Sequence, residues 1–284
     1  MARLIADSGS TKCEWSVLKG KKVETFLTAG ISPYFLKPPQ VEALLHRELL
    51  PQLENFSVDE VFFYGTGCSS PANRQSLKRS LKAVFSGAAI EVSTDLLGAC
   101  RALSGDAKGI VCILGTGSNS CYFNGKRIVK NSPSLRYVLG DEGSGAYLGI
   151  KVLQHYLYGT FNEDLKFRFD QRFKTTLVEV LERVYIEELP NRYLASFAAF
   201  LAENRGHYMI ENIIEDGLND FFLRHVSGYR EGRKFPVHFT GSIAYGFKDV
   251  VLSLCRNYEV EPGAILKNPM EGLIKYHAET RPPK

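Results

Sequence analysis

Several signatures are missing from this 284-residue chain, and each absence narrows what it can do. The six cysteines, Cys13, Cys68, Cys100, Cys112, Cys121 and Cys255, form no CxxC pair and no zinc-like spacing. They read as buried free thiols in a reducing compartment. No apolar run approaches the ~18 residues that a membrane span requires. The first apolar run begins directly after Met1, which leaves no signal peptide and predicts a cytoplasmic protein. The GxxxxGKS/T of a P-loop is absent, and so is a GxGxxG opening a helix, which argues against a Walker-type nucleotide site. Disorder and fibrous repeats are excluded by composition, because 44% of residues are apolar and 23% charged, close to ordinary globular usage. The net charge of +4 comes from scattered Lys and Arg. Its densest clusters, SLKRSLK (76–82) and YREGRK (229–234), read as a solvated helix face or loop rather than a nucleic-acid groove.

What is present has room for one large domain or two moderate ones, two being the starting expectation. LIADSGSTKCEWSVL (4–18) is a short apolar run, a loop of small residues and an alternating run, the pattern of two strands joined by DSGSTK. A third strand is predicted at 22–28. VEALLHRELLPQLENF (41–56) carries apolar residues at helical spacing, interrupted by Pro51. VDEVFFYGTG (58–67) reads as a buried strand, QSLKRSLKAVF (75–85) as an amphipathic helix, AIEVSTD (89–95) as a strand and LLGACRAL (96–103) as a helix. Three antiparallel strands followed by alternating helix and strand imply an α/β domain, a mixed sheet covered by helices.

The grammar then recurs. GIVCILGTGSNSCYFNGKRIV (109–129) is again an apolar strand, a loop of small residues and an alternating strand, so a second unit of the same topology is expected. From about 146 to 230 the pattern is mostly helical. FPVHFTGSIAYGF (235–247) reads as a strand entering a glycine-bearing turn and a helix start. NPMEGLIKYHAE (268–279) reads as a terminal helix, with Asn268 a candidate N-cap and Pro269 at its first position.

Three loops of small residues therefore follow apolar strands: DSGSTK, LGTGSNS and FTGSIAYG. Glycines let the backbone approach a phosphate, and backbone N–H groups with Ser and Thr hydroxyls donate to its oxygens. For any one of them a plain turn is an equal reading, since Gly and Ser are ordinary turn residues. Two matching hairpins, one per repeat, are harder to explain as turns alone.

In this order, DSGSTK, STDLLGA, LGTGSNS, LGDEGSGAYLG and FTGS resemble, over essentially the whole chain, the actin and hexokinase superfamily of ATPases. Within it they resemble the branch of N-acetylglucosamine kinase and the BadF/BadG ATPases. The resemblance implies two ribonuclease-H-like domains, each a mixed five-stranded sheet with flanking helices, around a nucleotide cleft. The expected domains are 1–108 and 109–267, with a helical insertion over about 150–230 and a terminal helix (about 268–284) packing back on the first domain.

The resemblance also implies roles for particular residues. Asp7 would sit near a magnesium ion, with Gly9, Ser10, Thr11 and Lys12 at the terminal phosphates of ATP. Gly115, Thr116, Gly117, Ser118 and Asn119 would form the second phosphate loop, and Gly241 with Ser242 the nucleoside turn. These residue types suit the chemistry, since magnesium prefers carboxylate and water oxygens and a lysine or hydroxyl can serve a transferring phosphoryl group. Asp95, at a strand end and helix start, reads by itself as an N-cap. The resemblance makes it the general base toward a sugar hydroxyl, provided that geometry brings it within reach. Asp141 would contact the sugar or order the metal and its waters, and Glu142 beside it is a lesser candidate.

The acceptor half departs from the pattern. The sugar kinases carry an asparagine after the third strand, where GISPYF (30–35) has Pro33 and Tyr34 instead. They also carry a glycine-tryptophan segment before the GDEGS motif, where SPSLRYVLGDEG has Arg136 and Tyr137. Tyr34 and Arg136 are thus candidate substrate contacts, Arg136 reading equally as an anion binder or a surface arginine. Three functions are open: an ATP- and Mg2+-dependent kinase acting on a hydroxyl of an amino sugar such as N-acetylglucosamine, a BadF-type ATPase driving a partner protein, and a non-catalytic nucleotide- or sugar-binding regulator. The first is favoured. Scattered cysteines offer no iron-sulfur site for the second, and Asp7, Asp95 and Asp141 are all retained against the third. A small-molecule substrate is expected, with no nucleic acid or membrane partner and a homodimer as a candidate assembly.

Overall fold

Alternating and apolar runs build the first sheet. In the computed structural model, which describes residues 1–9, 11–20, 22–54 and 56–279, these runs become β1 (Ala2–Ser8), β2 (Lys12–Lys19), β3 (Lys22–Ala29), β4 (Glu60–Gly65) and β5 (Ala89–Thr94). Their order is β3-β2-β1-β4-β5, antiparallel across the first three and parallel from β1 through β4 to β5. A tight loop links antiparallel neighbours, whereas the parallel pairs need helical crossovers. One crossover is the helix Pro71–Val84, capped by Ser70, whose side chain accepts the Asn73 N–H. On one face of the sheet Leu4, Ala6, Trp15 and Phe63 form a core. On the other, Ile5 and Tyr64 meet Met270 and Leu273.

Those last two residues belong to the helix Met270–Glu279, which docks beside the helix Asp95–Ser104. Polar contacts fix the docking. Arg101 donates to the Tyr64 hydroxyl (2.6 Å) and to Glu91 Oε1 (2.6 Å), while Tyr64 lies 2.8 Å from His277 Nε2. Burial and the nearby charges of Arg101 and Arg3 push the His277 pKa down to about 3. Its imidazole is therefore neutral, and its Nε2 shares a hydrogen bond with the Tyr64 hydroxyl. The predicted helix over 41–56 is broken into an α-helix Pro38–Leu44, a π-helical turn Leu45–Leu49 and a 3-10 turn Leu50–Leu53. Pro51 has no N–H for the helical ladder, so the chain changes its winding there.

The chain divides into two compact units, Met1–Asp106 with the segment from Asn268 onward, and Ala107–Lys267. The second repeats the topology of the first. Its strands are β6 (Lys108–Leu114), β7 (Ser118–Asn124), β8 (Ile128–Ser132), β9 (Val237–Thr240) and β10 (Pro262–Leu266), in the order β10-β9-β6-β7-β8. From β8 to β9 the chain is helical, and its helices close around an aromatic cluster of Phe161, Phe169, Phe173, Phe197 and Phe200. Large rings at helical spacing each bury a large apolar surface there and pack against one another. Among the described residues no helix is long and apolar enough to cross a membrane.

Candidate functional site

In the first unit the carboxylates come from three places on one sheet. Asp7 is the penultimate residue of β1, and antiparallel pairing sets it directly opposite Glu14 of β2. Directly opposed residues share a face of the sheet, and like charges there are destabilising. Asp95 follows β5 and begins the helix Asp95–Ser104. The helix is capped by Thr94, which accepts the Leu97 N–H (3.1 Å), so Asp95 is not the cap; its own Oδ1 accepts the Leu96 N–H (2.8 Å). A carboxylate in the first helical turn is favoured by the partial positive charge of the helix N-terminus.

These groups feel one another. Burial, then the charge of Asp95, then that of Glu14, push the Asp7 pKa from 3.8 up to about 7, against the opposing pull of Lys12. The Cys68 thiol, in the loop after β4, is pushed up to about 12 by burial and by Asp95, which makes it inert and places it near that carboxylate. The DSGSTK hairpin closes with the Gly9 N–H donating to the Lys12 carbonyl (3.0 Å). Thr11 is partly buried and Gly9 and Lys12 are exposed; Ser10 lies outside the described residues. Tyr34, 51% exposed, sits on the turn after Ile31, close enough to Gly67 that a Cβ there would lie 3.0 Å from its ring.

In the second unit the corresponding hairpin is built from donors. Gly115 donates to the Gly117 carbonyl (3.0 Å). Gly115 and Thr116 carbonyls accept the N–H groups of Gly145 and Ala146, which open the helix Gly145–Leu157. The GTGSN loop is thereby tied to a helix start. Ser118 Oγ is buried with no partner, and so is Thr240 Oγ1 at the end of β9. An unpaired buried hydroxyl is costly and invites a ligand or water as explanation. Asn119 Oδ1 accepts from Asn131 Nδ2 (2.9 Å), which leaves the Asn119 amide NH2 as its donor.

Asp141 lies over this loop. Its Oδ1 accepts from the Ser118 N–H (3.3 Å) and from Ser134 Oγ (3.3 Å), and a Cβ on Gly117 would fall 2.9 Å from Oδ2. Burial raises the Asp141 pKa, and these two hydrogen bonds with the charge of Arg136 partly restore it. Arg136 itself is exposed. Both Asp141 (φ 55°) and Arg136 (φ 68°) hold left-handed backbone, a conformation that costs a non-glycine residue about 1–2 kcal/mol. Strained backbone of this kind clusters at functional sites. Gly241, with φ 117°, cannot be replaced: a Cβ would lie 2.2 Å from the Leu114 carbonyl oxygen, so the FTGS turn presses against the start of the GTGSN loop. Ser242 follows it, exposed, as the first residue of the short helix Ser242–Gly246.

The structure thus gathers Asp7 and Asp95 in the first unit, and in the second unit Gly115, Thr116, Gly117, Ser118, Asn119, Asp141 and Gly241. Tyr34 and Arg136 stand more in solvent than the rest. Glu14, Ser134 and Thr240 were not expected. Glu14 was legible, because a hairpin over DSGSTK pairs it with Asp7; Thr240 is the threonine of FTGS, next to the turn glycine.

No protein-family model matches the chain, and no curated protein does. Among solved structures it is similar to a protein from Porphyromonas gingivalis described provisionally as an N-acetylglucosamine kinase, with 40% identity over 96% of this chain and 98% of that one and a TM-score of 0.93. A second provisional N-acetylglucosamine kinase, from Chromobacterium violaceum, is 16% identical over 97% and 98% of the two chains, with a TM-score of 0.73. A ROK-family glucokinase from Streptomyces griseus, solved with glucose and AMPPNP, is 15% identical over 97% and 98%, with a TM-score of 0.56. The last two share the fold.

Proposed function

Since the chain belongs to the N-acetylglucosamine kinase family, a branch of the actin-like ATPase-fold sugar kinases, we propose that it transfers the γ-phosphoryl group of ATP to a hydroxyl of an amino sugar, N-acetylglucosamine first among them. The observation that carries this reading is the acidic set of the first unit, where burial, then the charges of Asp95 and Glu14, push the Asp7 pKa up to about 7. Such a set is suited to a divalent cation and a proton acceptor side by side.

Asp95 acts as the general base. It takes the proton of the attacking hydroxyl while a bond forms from that oxygen to the γ-phosphorus and the bond from phosphorus to the ADP oxygen breaks. Thr11 and Lys12 donate to phosphate oxygens, as do Thr116, Ser118 and Asn119. Ser118 and Thr240 bring hydroxyls already stripped of water and unpaired, so a phosphate or nucleoside oxygen satisfies them without breaking a protein contact. Asp141 meets the sugar or orders the cation's waters, and Tyr34 and Arg136 are the proposed further acceptor contacts.

The donor chemistry fits magnesium. Asp7 offers hard oxygens in the first unit, and Asp141 is the candidate ligand of the second. Magnesium keeps its waters and binds through one or two carboxylates and the nucleotide phosphates. When bound it would supply charge neutralisation at the phosphates. The partner-driving alternative is disfavoured because all six thiols are buried, none standing at the surface to share a cluster across a dimer. An ADP-release screen over acetylated and free amino sugars tests the proposal: N-acetylglucosamine or a close relative should raise ADP release well above the sugar-free rate, and a flat response across the panel contradicts it.

A further inference from the structure

The Asp141–Glu142 turn is strained and needs a restraint. Asp141 is left-handed, and Gly143 (φ 69°) sits so close to the helix Tyr208–Phe221 that a Cβ on it would lie 2.8 Å from the Phe221 Cβ. That helix runs on into a π-helical turn, Phe222–Val226, which carries His225. Single π turns inside helices recur at functional sites because they re-aim one side chain. Here the re-aimed side chain is a histidine whose ring stacks on Phe221 at 4.8 Å and is 5% exposed.

Its two nitrogens face different partners. Nε2 lies 3.3 Å from Glu142 Oε2, and Nδ1 lies 3.5 Å from Ser120 Oγ. Ser120 Oγ is 3.0 Å from the Tyr229 hydroxyl, which accepts the Ser132 N–H at 2.7 Å. One assignment of donors satisfies every contact in turn: Ser132 N–H to Tyr229, Tyr229 O–H to Ser120, Ser120 O–H to Nδ1, and Nε2–H to the Glu142 carboxylate. A proton on Nδ1 alone would leave two acceptors, Nε2 and Oε2, facing each other, so the chain selects the Nε2–H tautomer. Glu142 also faces Arg224 Nε at 3.4 Å, whose side chain is 60% exposed and thus a weak tether.

We propose that His225 is a positioning residue: its Nε2–H holds the Glu142 carboxylate, and with it the strained Asp141–Glu142 turn, over the GTGSN loop, while Nδ1 ties the ring to β7 and β8 through Ser120 and Tyr229. The consequence for turnover rests on the kinase reading above; the restraint on the turn does not.

Three variants separate the hydrogen bond from the packing. His225→Phe keeps the ring against Phe221 and loses both nitrogens, His225→Asn keeps an amide near the Nδ1 position, and His225→Gln puts an N–H donor near Nε2. Amide hydrogen exchange at residues 142–145 is the first readout: about tenfold faster exchange is expected in the Phe and Asn variants, and about wild-type exchange in the Gln variant. Sugar-dependent ADP release is the second, with kcat down about 10–100-fold in the Phe and Asn variants, the KM for ATP changed less than about threefold, and Gln recovering most of the loss. A purely structural role would rank the variants by melting temperature rather than by donor position. If His225→Phe fails to fold, Glu142→Ala takes its place, and it should show the same fast exchange whether or not His225→Asn is added. Unchanged exchange in His225→Phe, a Gln variant no better than Phe, or additive effects of Glu142→Ala and His225→Asn each overturn the proposal. A wild-type protein without sugar-dependent ADP release sinks the kinase reading instead, and the exchange measurements still decide this one.

Discussion

The two units share a strand order but place opposite chemistry at equivalent positions. In the first, the residue before the end of the central strand is Asp7, and its partner across the hairpin is Glu14. In the second, the same two register positions hold Ile113 and Asn119. One hairpin thus sets two carboxylates face to face, and burial together with the charges of Asp95 and Glu14 pushes the Asp7 pKa up to about 7; the other has backbone donors, an amide and the unpaired hydroxyl of Ser118. The second unit's own carboxylate, Asp141, is already engaged by two hydrogen bonds over its loop. A duplicated scaffold can therefore carry a carboxylate-bearing hairpin in one half and a donor-bearing hairpin in the other, by changing a few side chains at the ends of matching strands.

Breaking the acidic half should have the larger effects. Asp95→Asn keeps shape and loses the proposed base, so kcat for sugar-dependent ADP release is expected to fall about 10²–10⁴-fold with the KM values little changed; full turnover would remove Asp95 from that role. Asp7→Asn should also abolish most turnover, yet it should stabilise the ligand-free protein. The sign follows from the raised pKa. Between about pH 4 and 7 the folded state holds a proton that the unfolded chain has released, so stability falls as pH rises through that window and stays low above it. The melting temperature of Asp7→Asn should exceed wild type by about 3 °C or more at pH 8, with the gap closing toward pH 4. A gap that is independent of pH would contradict the raised Asp7 pKa.

The donor half predicts smaller changes. Ser118→Ala and Thr240→Val each remove a buried hydroxyl that has no protein partner, so neither should lower the melting temperature. Each should instead raise the KM for ATP about 5–10-fold, which a loss of one net hydrogen bond supplies. The smallest effect belongs to the Gly9→Ala backbone, where a Cβ would meet nothing closer than 3.8 Å: the melting temperature should move by less than about 1 °C. Instability there would show that the hairpin needs Gly9 as a turn residue.

Much of this was legible in the sequence, for physical reasons that differ by region. The two hairpins, the helices after 71 and 95 and the repeat itself follow from hydrophobic period and turn residues. Two strands were less visible. β8 (Ile128–Ser132) and β10 (Pro262–Leu266) are the edges of the second sheet, half-exposed, short and irregular in register, so neither shows clean alternation. The helix Lys248–Asn257 also escaped notice, hidden behind the glycine turn that precedes it. At the site, DSGSTK, STDLL and GDEGS stood out because small and acidic residues interrupt apolar runs. His225 did not, because it reaches Glu142 only through a π turn 83 residues further along the chain, and no local pattern encodes that contact.

Phosphorus NMR of the protein incubated with ATP, magnesium and N-acetylglucosamine, or the sugar that the screen selects, tests the kinase reading most directly. A sugar-phosphate resonance should grow in step with ADP, one for one, and be absent with Asp95→Asn. ADP accompanied only by inorganic phosphate, at a rate that ignores the sugar, would contradict it.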